Sequence, residues 1–147
     1  MKEILNRKAE FNYFLHNKFI AGIQLTGSEV KSVREGQVDL SEAFCHFKSG
    51  ELFIKNMYIK EYKNAGFAQH DPIRERKLLL KKEELRKLER RLKEKSLTIV
   101  PVNLFLNEKG KVKLTISLAS GKRTFDKSRY IKERDIQRAA LRELADD

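Results

Sequence analysis

Apolar positions alternate with polar ones along most of the first 125 residues and shift to helical spacing in a few stretches. Leu52 to Tyr62 places Phe53, Met57 and Ile59 against Lys55, Asn56 and Lys60, which predicts a half-buried strand. Val112, Leu114, Ile116 and Leu118 repeat with period two and predict another, and Leu97 to Leu106 is a third β-rich run. Tyr13-Phe14-Leu15 and Phe19 to Leu25 are short apolar runs; Gly22 inside the second suggests a bulge or tight bend. Val38 to Phe47 reads as one strand carrying Leu40 and Phe44. Turns are expected at Ser49-Gly50, Asn107 to Gly110 and Ser120-Gly121, and Asn64 to Pro72 reads as a loop. Ser28 can cap a short helix through Arg34 that Gly36 ends. Lys81 to Lys95 is the clearest helix, with Leu85, Leu88 and Leu92 on one face and Glu83–Lys87 and Glu89–Lys93 as favourable i,i+4 pairs.

About six short strands with two interspersed helices predict a mainly β (α+β) domain over residues 1–125. Strands this short need closure to hide their edges, so a small closed or nearly closed barrel is expected. Residues 126–147 differ: they contain no Gly or Pro, and Ile136, Ala140 and Leu144 form one helical stripe roughly opposite Arg134, Arg138 and Arg142. Six basic and six acidic residues leave this tail neutral. It is expected to stay partly unfolded until a partner supplies contacts.

Charge sharpens the picture. Lys and Arg total 32 against 21 Asp and Glu, a net charge of +11. Such a surplus creates a long-range positive field that draws polyanions, nucleic acid foremost. No apolar run approaches the ~20 residues that span a bilayer, and Met1 to Glu10 is too polar for a secretory signal. One cysteine, Cys45, excludes an intrachain disulfide and fits a reducing, cytoplasmic setting.

Signatures of catalysis are missing. The seven glycines are scattered, without a phosphate-cradling loop. Cys45 and His46 fall on opposite faces of a strand and make no nucleophile–base pair. His16, His46 and His70 lack metal-ligand spacing. No catalytic residue, metal or cofactor is therefore expected. Phosphate-binding chemistry is plentiful by contrast. Arg74, Arg76 and Lys77 cluster after Asp71-Pro72; Lys122, Arg123, Lys127 and Arg129 cluster after Gly121, with Phe125 among them. Cationic groups contact phosphates, rings stack on unpaired bases, and Gly121 lets backbone approach a phosphate closely.

Asn6-Arg7-Lys8-Ala9, Ala21 to Gly27, Glu29 to Arg34, Gly36, Gly50-Glu51, Asn56 to Ile59 and Tyr62 follow in order. His70-Asp71-Pro72, Arg74, Arg76 to Leu80, Val100-Pro101, Leu118 to Arg123 and Asp126-Lys127 complete the series. In this the chain resembles the SsrA-binding protein (small protein B, SmpB) family of bacterial trans-translation, over nearly its whole length. The resemblance implies an oligonucleotide-binding type barrel with flanking helices, and a partner: the tRNA-like domain of transfer-messenger RNA. It implies delivery of that RNA to stalled ribosomes, with elongation factor Tu in the complex. The tail would fold as a helix in the decoding centre and mRNA channel.

The RNA-facing residues expected on the barrel are Asn6, Arg7, Lys8, Glu29, Lys31, Asn56, Arg76, Lys77, Gly121, Lys122 and Arg123. In the tail they are Asp126, Lys127, Arg129, Lys132, Arg134, Ile136 and Arg138. Glu29 can accept from base amino groups or serve as a charge partner at a helix N-terminus. The chain departs from the family in reading Ile20 where a Glu is common, Lys81 after the triple Leu, Ser128 in place of an Arg, and Asp146-Asp147 at the end. The competing readings are a generic binder of single-stranded nucleic acid and a constitutive ribosome-associated protein.

Overall fold

A computed structural model describes residues 3–62, 69–94 and 96–122. Among them lie nine strands and three helices. In chain order these are β1 (Ile4–Leu5), α1 (Arg7–Asn12), β2 (Tyr13–Ile23), α2 (Gly27–Arg34), β3 (Val38–Asp39) and β4 (Phe44–Lys48). They continue with β5 (Glu51–Lys55), β6 (Tyr58–Ile59), β7 (Arg76–Leu79), α3 (Lys82–Glu94), β8 (Thr98–Leu106) and β9 (Val112–Gly121). The main sheet runs β1-β8-β4-β5-β7-β2-β9, and β8 also pairs with β9. Six strands therefore close into an antiparallel ring, with β1 attached to the outside of β8. The mainly β expectation holds.

The long β8–β9 hairpin builds one wall, and Val112, Leu114, Ile116 and Leu118 turn inward as their alternation requires. Leu52, Ile54, Leu78, Ile99 and Leu104 fill the interior with them, and Leu88 of α3 closes it. The ring's seams are uneven. β4 meets β8 through a single pair, Cys45 with Ile99.

Several elements differ from expectation, each for a local reason. The two apolar runs near the N-terminus are one strand, β2, and its irregularity lies between Leu15 and Lys18; Gly22 pairs regularly with Leu79 and Lys113. Val38 to Phe47 is broken in two. The Asp39 side chain accepts from the Ser41 N–H at 2.9 Å, and Ala43 N–H closes a turn on the Leu40 carbonyl at 3.0 Å. β3 consequently leaves the ring and pairs with β6. Leu52 to Tyr62 is also two strands. Asn56 takes φ 60°, a conformation Asn tolerates, and the buried positions change parity there, from Leu52 and Ile54 to Met57 and Ile59. Phe53 thus points outward, not inward. The hairpin at Ser49-Gly50 has both residues at positive φ, the primed geometry that matches strand twist. Gly121 continues β9 and does not turn it. The α1 helix and strand β7 carry no periodicity long enough to announce them.

Candidate nucleic-acid interface

α1 is six residues long and cannot hold itself together. Asn6 anchors it. Its Oδ1 accepts from the Ala9 N–H at 3.3 Å as a helix cap, and its Nδ2 donates to the carbonyls of Pro101 at 2.8 Å and Leu40 at 3.3 Å. Its own N–H reaches the Val102 carbonyl at 2.9 Å. Both β8 acceptors lie where that strand's register slips, between Pro101 and Asn103. Proline cannot donate to the ladder, so it sits at this bulge, and the bulge presents the two carbonyls to Asn6. Ala9 is buried against Val100 and Ala119, beneath Tyr13 and Leu15.

With α1 pinned by that face, Arg7 and Lys8 project outward and are exposed. Lys8 pairs with Glu42. The end of β9 docks alongside. Lys122 N–H donates to the Asn12 carbonyl at 2.8 Å; its ammonium donates to the Glu10 carbonyl at 3.3 Å and lies 5.0 Å from the Phe14 ring centre. A cleft of about 480 Å³ opens between α1 and the β4–β5 edge, lined by Asn6, Lys8, Tyr13, Phe44 and Asn56 among others. The structure therefore gathers Arg7, Lys8, Asn56, Gly121 and Lys122 at one end of the ring, with Asn6 as their support.

A second group of expected contacts has another role. Glu29 and Arg76 are fully buried. Thr26 and Glu29 form a reciprocal capping box at the start of α2. The Glu29 carboxylate also accepts from Arg74 Nη2 at 2.7 Å and Nε at 2.8 Å, and from Arg76 Nε at 2.7 Å. Arg76 goes on to the carbonyls of Met57 at 2.7 Å, Arg74 at 3.1 Å and Pro72 at 3.2 Å. Burial alone would raise the Glu29 pKa, but the hydrogen bonds from Arg74, Thr26 and Arg76 outweigh it and hold the carboxyl below its usual range. Burial lowers the Arg76 pKa against the opposing pull of Glu29. Arg76 was expected to face RNA, and Glu29 either to do so or to serve as a charge partner at a helix N-terminus. The RNA-facing reading is corrected for both: with no exposed surface they cannot touch a ligand, and they tie the start of α2, Met57 and the 71–74 loop to β7. Asn6 is corrected in the same sense, since it is 5% exposed and its amide is spent on the protein.

Lys31 on α2 is exposed, 5.6 Å from the Tyr62 ring centre, and Lys77 on the outer face of β7 pairs with Glu51 at 3.0 Å. Neither lines the cleft. Arg123, Asp126, Lys127, Arg129, Lys132, Arg134, Ile136 and Arg138 lie outside the described residues. Sequence reasoning missed Phe14 and Glu42, which orient Lys122 and Lys8; an aromatic and an acid at those spacings carry no signal before the fold is known. Cys45 is buried with its thiol pKa pushed up by desolvation, on the strand face opposite His46, whose Nε2 meets Glu75 at 2.6 Å. Among the described residues no helix is long and apolar enough to cross a membrane.

The family model described as SmpB protein matches residues 3–146. The SsrA-binding protein of Christiangramia forsetii is 49% identical over 135 residues, covering 92% of this chain and 86% of its own length. That of Bacteroides thetaiotaomicron is 48% identical over 139 residues, covering 95% and 93%. A solved structure described as "tmRNA-SmpB: a journey to the center of the bacterial ribosome" superposes with a TM-score of 0.72 at 42% identity, over 95% of this chain and 97% of that one. An anchored cationic end on a closed ring of strands, and a match of this extent, lead to one conclusion: the chain belongs to the SmpB protein family.

Proposed function

We propose that this protein binds transfer-messenger RNA and acts with it at the ribosome in trans-translation, the rescue of stalled ribosomes. The observation that carries this reading is a cleft lined by Lys8, Tyr13, Phe44 and Asn56 beside a short helix that also bears Arg7 and whose end holds Lys122, in a chain of the SmpB family. Asn6 fixes the helix that carries Arg7 and Lys8, and the Glu10 carbonyl and the Phe14 ring hold the Lys122 ammonium, so part of the ordering cost of binding is already met. Phosphates would meet Arg7 and Lys122, and the cleft's Asn56, Tyr13 and Phe44 offer an amide and two rings to an unpaired base. Lys31 and Lys77 are further contacts on neighbouring faces. The ring is read as an oligonucleotide-binding type barrel, and elongation factor Tu joins through the RNA. Arg123 is a further contact to the transfer-messenger RNA, and residues 126–147, with Asp126, Lys127, Arg129, Lys132, Arg134, Ile136 and Arg138, serve the decoding centre and mRNA channel.

Reversing Arg7 and Lys122 to Glu together should weaken binding of the tRNA-like domain and lower the salt slope by about two units, near one per lost phosphate contact. An unchanged slope removes this end from the interface. In the same assay, a chain ending at residue 125 should keep most RNA affinity yet fail to tag proteins on stalled ribosomes. Normal tagging by that chain overturns the role given to the tail.

A further inference from the structure

α3 carries six basic residues, Lys82, Arg86, Lys87, Arg90, Arg91 and Lys93. At 100° per residue, Lys82, Lys93, Arg86 and Arg90 fall within an arc of about 80°, with no carboxylate between them. Glu89 and Glu83 stand just outside it on either side. Leu85, Leu88 and Leu92 pack into the core from the other side of the helix, and all four cations are exposed. None of the six basic residues of α3 forms an ion pair among the described residues. The expected Glu83–Lys87 and Glu89–Lys93 pairs do not close. Elsewhere Lys8, Lys48, Arg74, Arg76 and Lys77 meet carboxylates. Cations without an ion pair among the described residues, such as Arg7 and Lys31, also occur on other elements, so what sets α3 apart is the alignment of four on one arc.

This arrangement costs the helix stability. Lys82–Arg86 and Arg86–Arg90 are like-charge i,i+4 neighbours, which repel along the helix surface. Lys82 in the first turn also opposes the helix dipole. Glu83, Glu84 and Glu89 offset part of this repulsion from outside the arc, but no carboxylate stands within it, so an external anion is the natural counterpart there. The line from Lys82 to Lys93 is about 16 Å long at the rise of an α-helix, which suits a polyanion and not a single phosphate. Its exposed arc holds no aromatic ring to stack and no amide to read a base, so the match is to backbone phosphates. It holds no apolar side chain to enter a lipid surface.

We infer that this arc of α3 docks on the sugar–phosphate backbone of transfer-messenger RNA, as a second contact none of whose residues lines the α1 cleft. The inference rests on the RNA-binding reading above. It assigns the arc to the carried RNA because that complex must persist at cellular salt before any ribosome is met, and its persistence grows with the number of phosphates neutralised.

The test uses the full chain with K82E/R86E/R90E/K93E, and with K82Q/R86Q/R90Q/K93Q as a milder partner, both checked for unchanged helicity. Affinity for the isolated tRNA-like RNA domain and for vacant ribosomes is measured across salt. The Glu variant should lower the slope on the RNA by about three to four units and leave the slope on ribosomes unchanged; the Gln variant should do the same in smaller measure. Between about 50 and 200 mM salt the wild type should then lose roughly a hundredfold more affinity than the Glu variant. An unchanged slope on the RNA overturns the inference, and a change confined to ribosomes reassigns the arc to ribosomal RNA. Loss of slope in R7E/K122E alone leaves the function standing while α3 fails. A wild-type chain that ignores the RNA sinks both.

Discussion

One carboxylate, Glu29, accepts from a helix cap and two arginines at once, and no part of it reaches solvent. Removing a partner from such a network leaves a buried guanidinium uncompensated, which costs far more than the pair contributes in isolation. Glu29→Gln should therefore destabilise the fold by about 3 kcal/mol at neutral pH. The pH dependence follows from the depressed carboxyl pKa. A group easier to ionise when folded contributes its full stabilisation above its ordinary value of 4.5 and loses it as the pH falls through the lower, folded value. The gap between wild type and Glu29→Gln should narrow on acidification. Urea titrations in steps from pH 6 downward check this, and a constant gap would show that Glu29 is not held ionised by its neighbours.

The elements of this protein are short and depend on one another, and α1 shows how. Asn6→Ala removes the cap, strips two carbonyls of their donor and should cost about 2 kcal/mol. Because Arg7 and Lys8 are presented by that helix, RNA affinity should fall with it although Asn6 touches no ligand; urea denaturation beside a binding titration tests both halves. The same dependence explains what could be read from the chain. Val112 to Leu118 and Lys82 to Glu94 were legible because a long run keeps one period. The break at Ser41 and the parity change at Asn56 were not, since each turns on a single side chain or dihedral inside an apparently continuous pattern. The cationic end was foreseen in part. Arg7, Lys8 and Lys122 carry their charge openly in the sequence, but Arg76 looks just as basic, and only the fold buries it against Glu29. Charge type is written in the chain, whereas the direction in which a charge faces is a property of the packing.

As a whole, the molecule is a ring that is complete by Gly121, with the chain leaving beside α1, where Gly121 pairs with Tyr13 and Lys122 holds the Asn12 carbonyl. The last described residue of β9 and Lys122 are thereby set beside the proposed RNA-binding end. A closed ring also spares the protein long open strand edges, which in a chain bearing an exposed Ile20 and Leu79 would invite pairing with other copies. The ring is only as strong as its narrowest joint, the lone Cys45–Ile99 pair between β4 and β8. The sole thiol of the chain stands guard over that joint, silent to an alkylating reagent while the joint is shut. Its rate of modification should act as a clock for breathing of the native state: faster than global unfolding if this joint opens by itself, and equal to it if the ring parts only when everything else does.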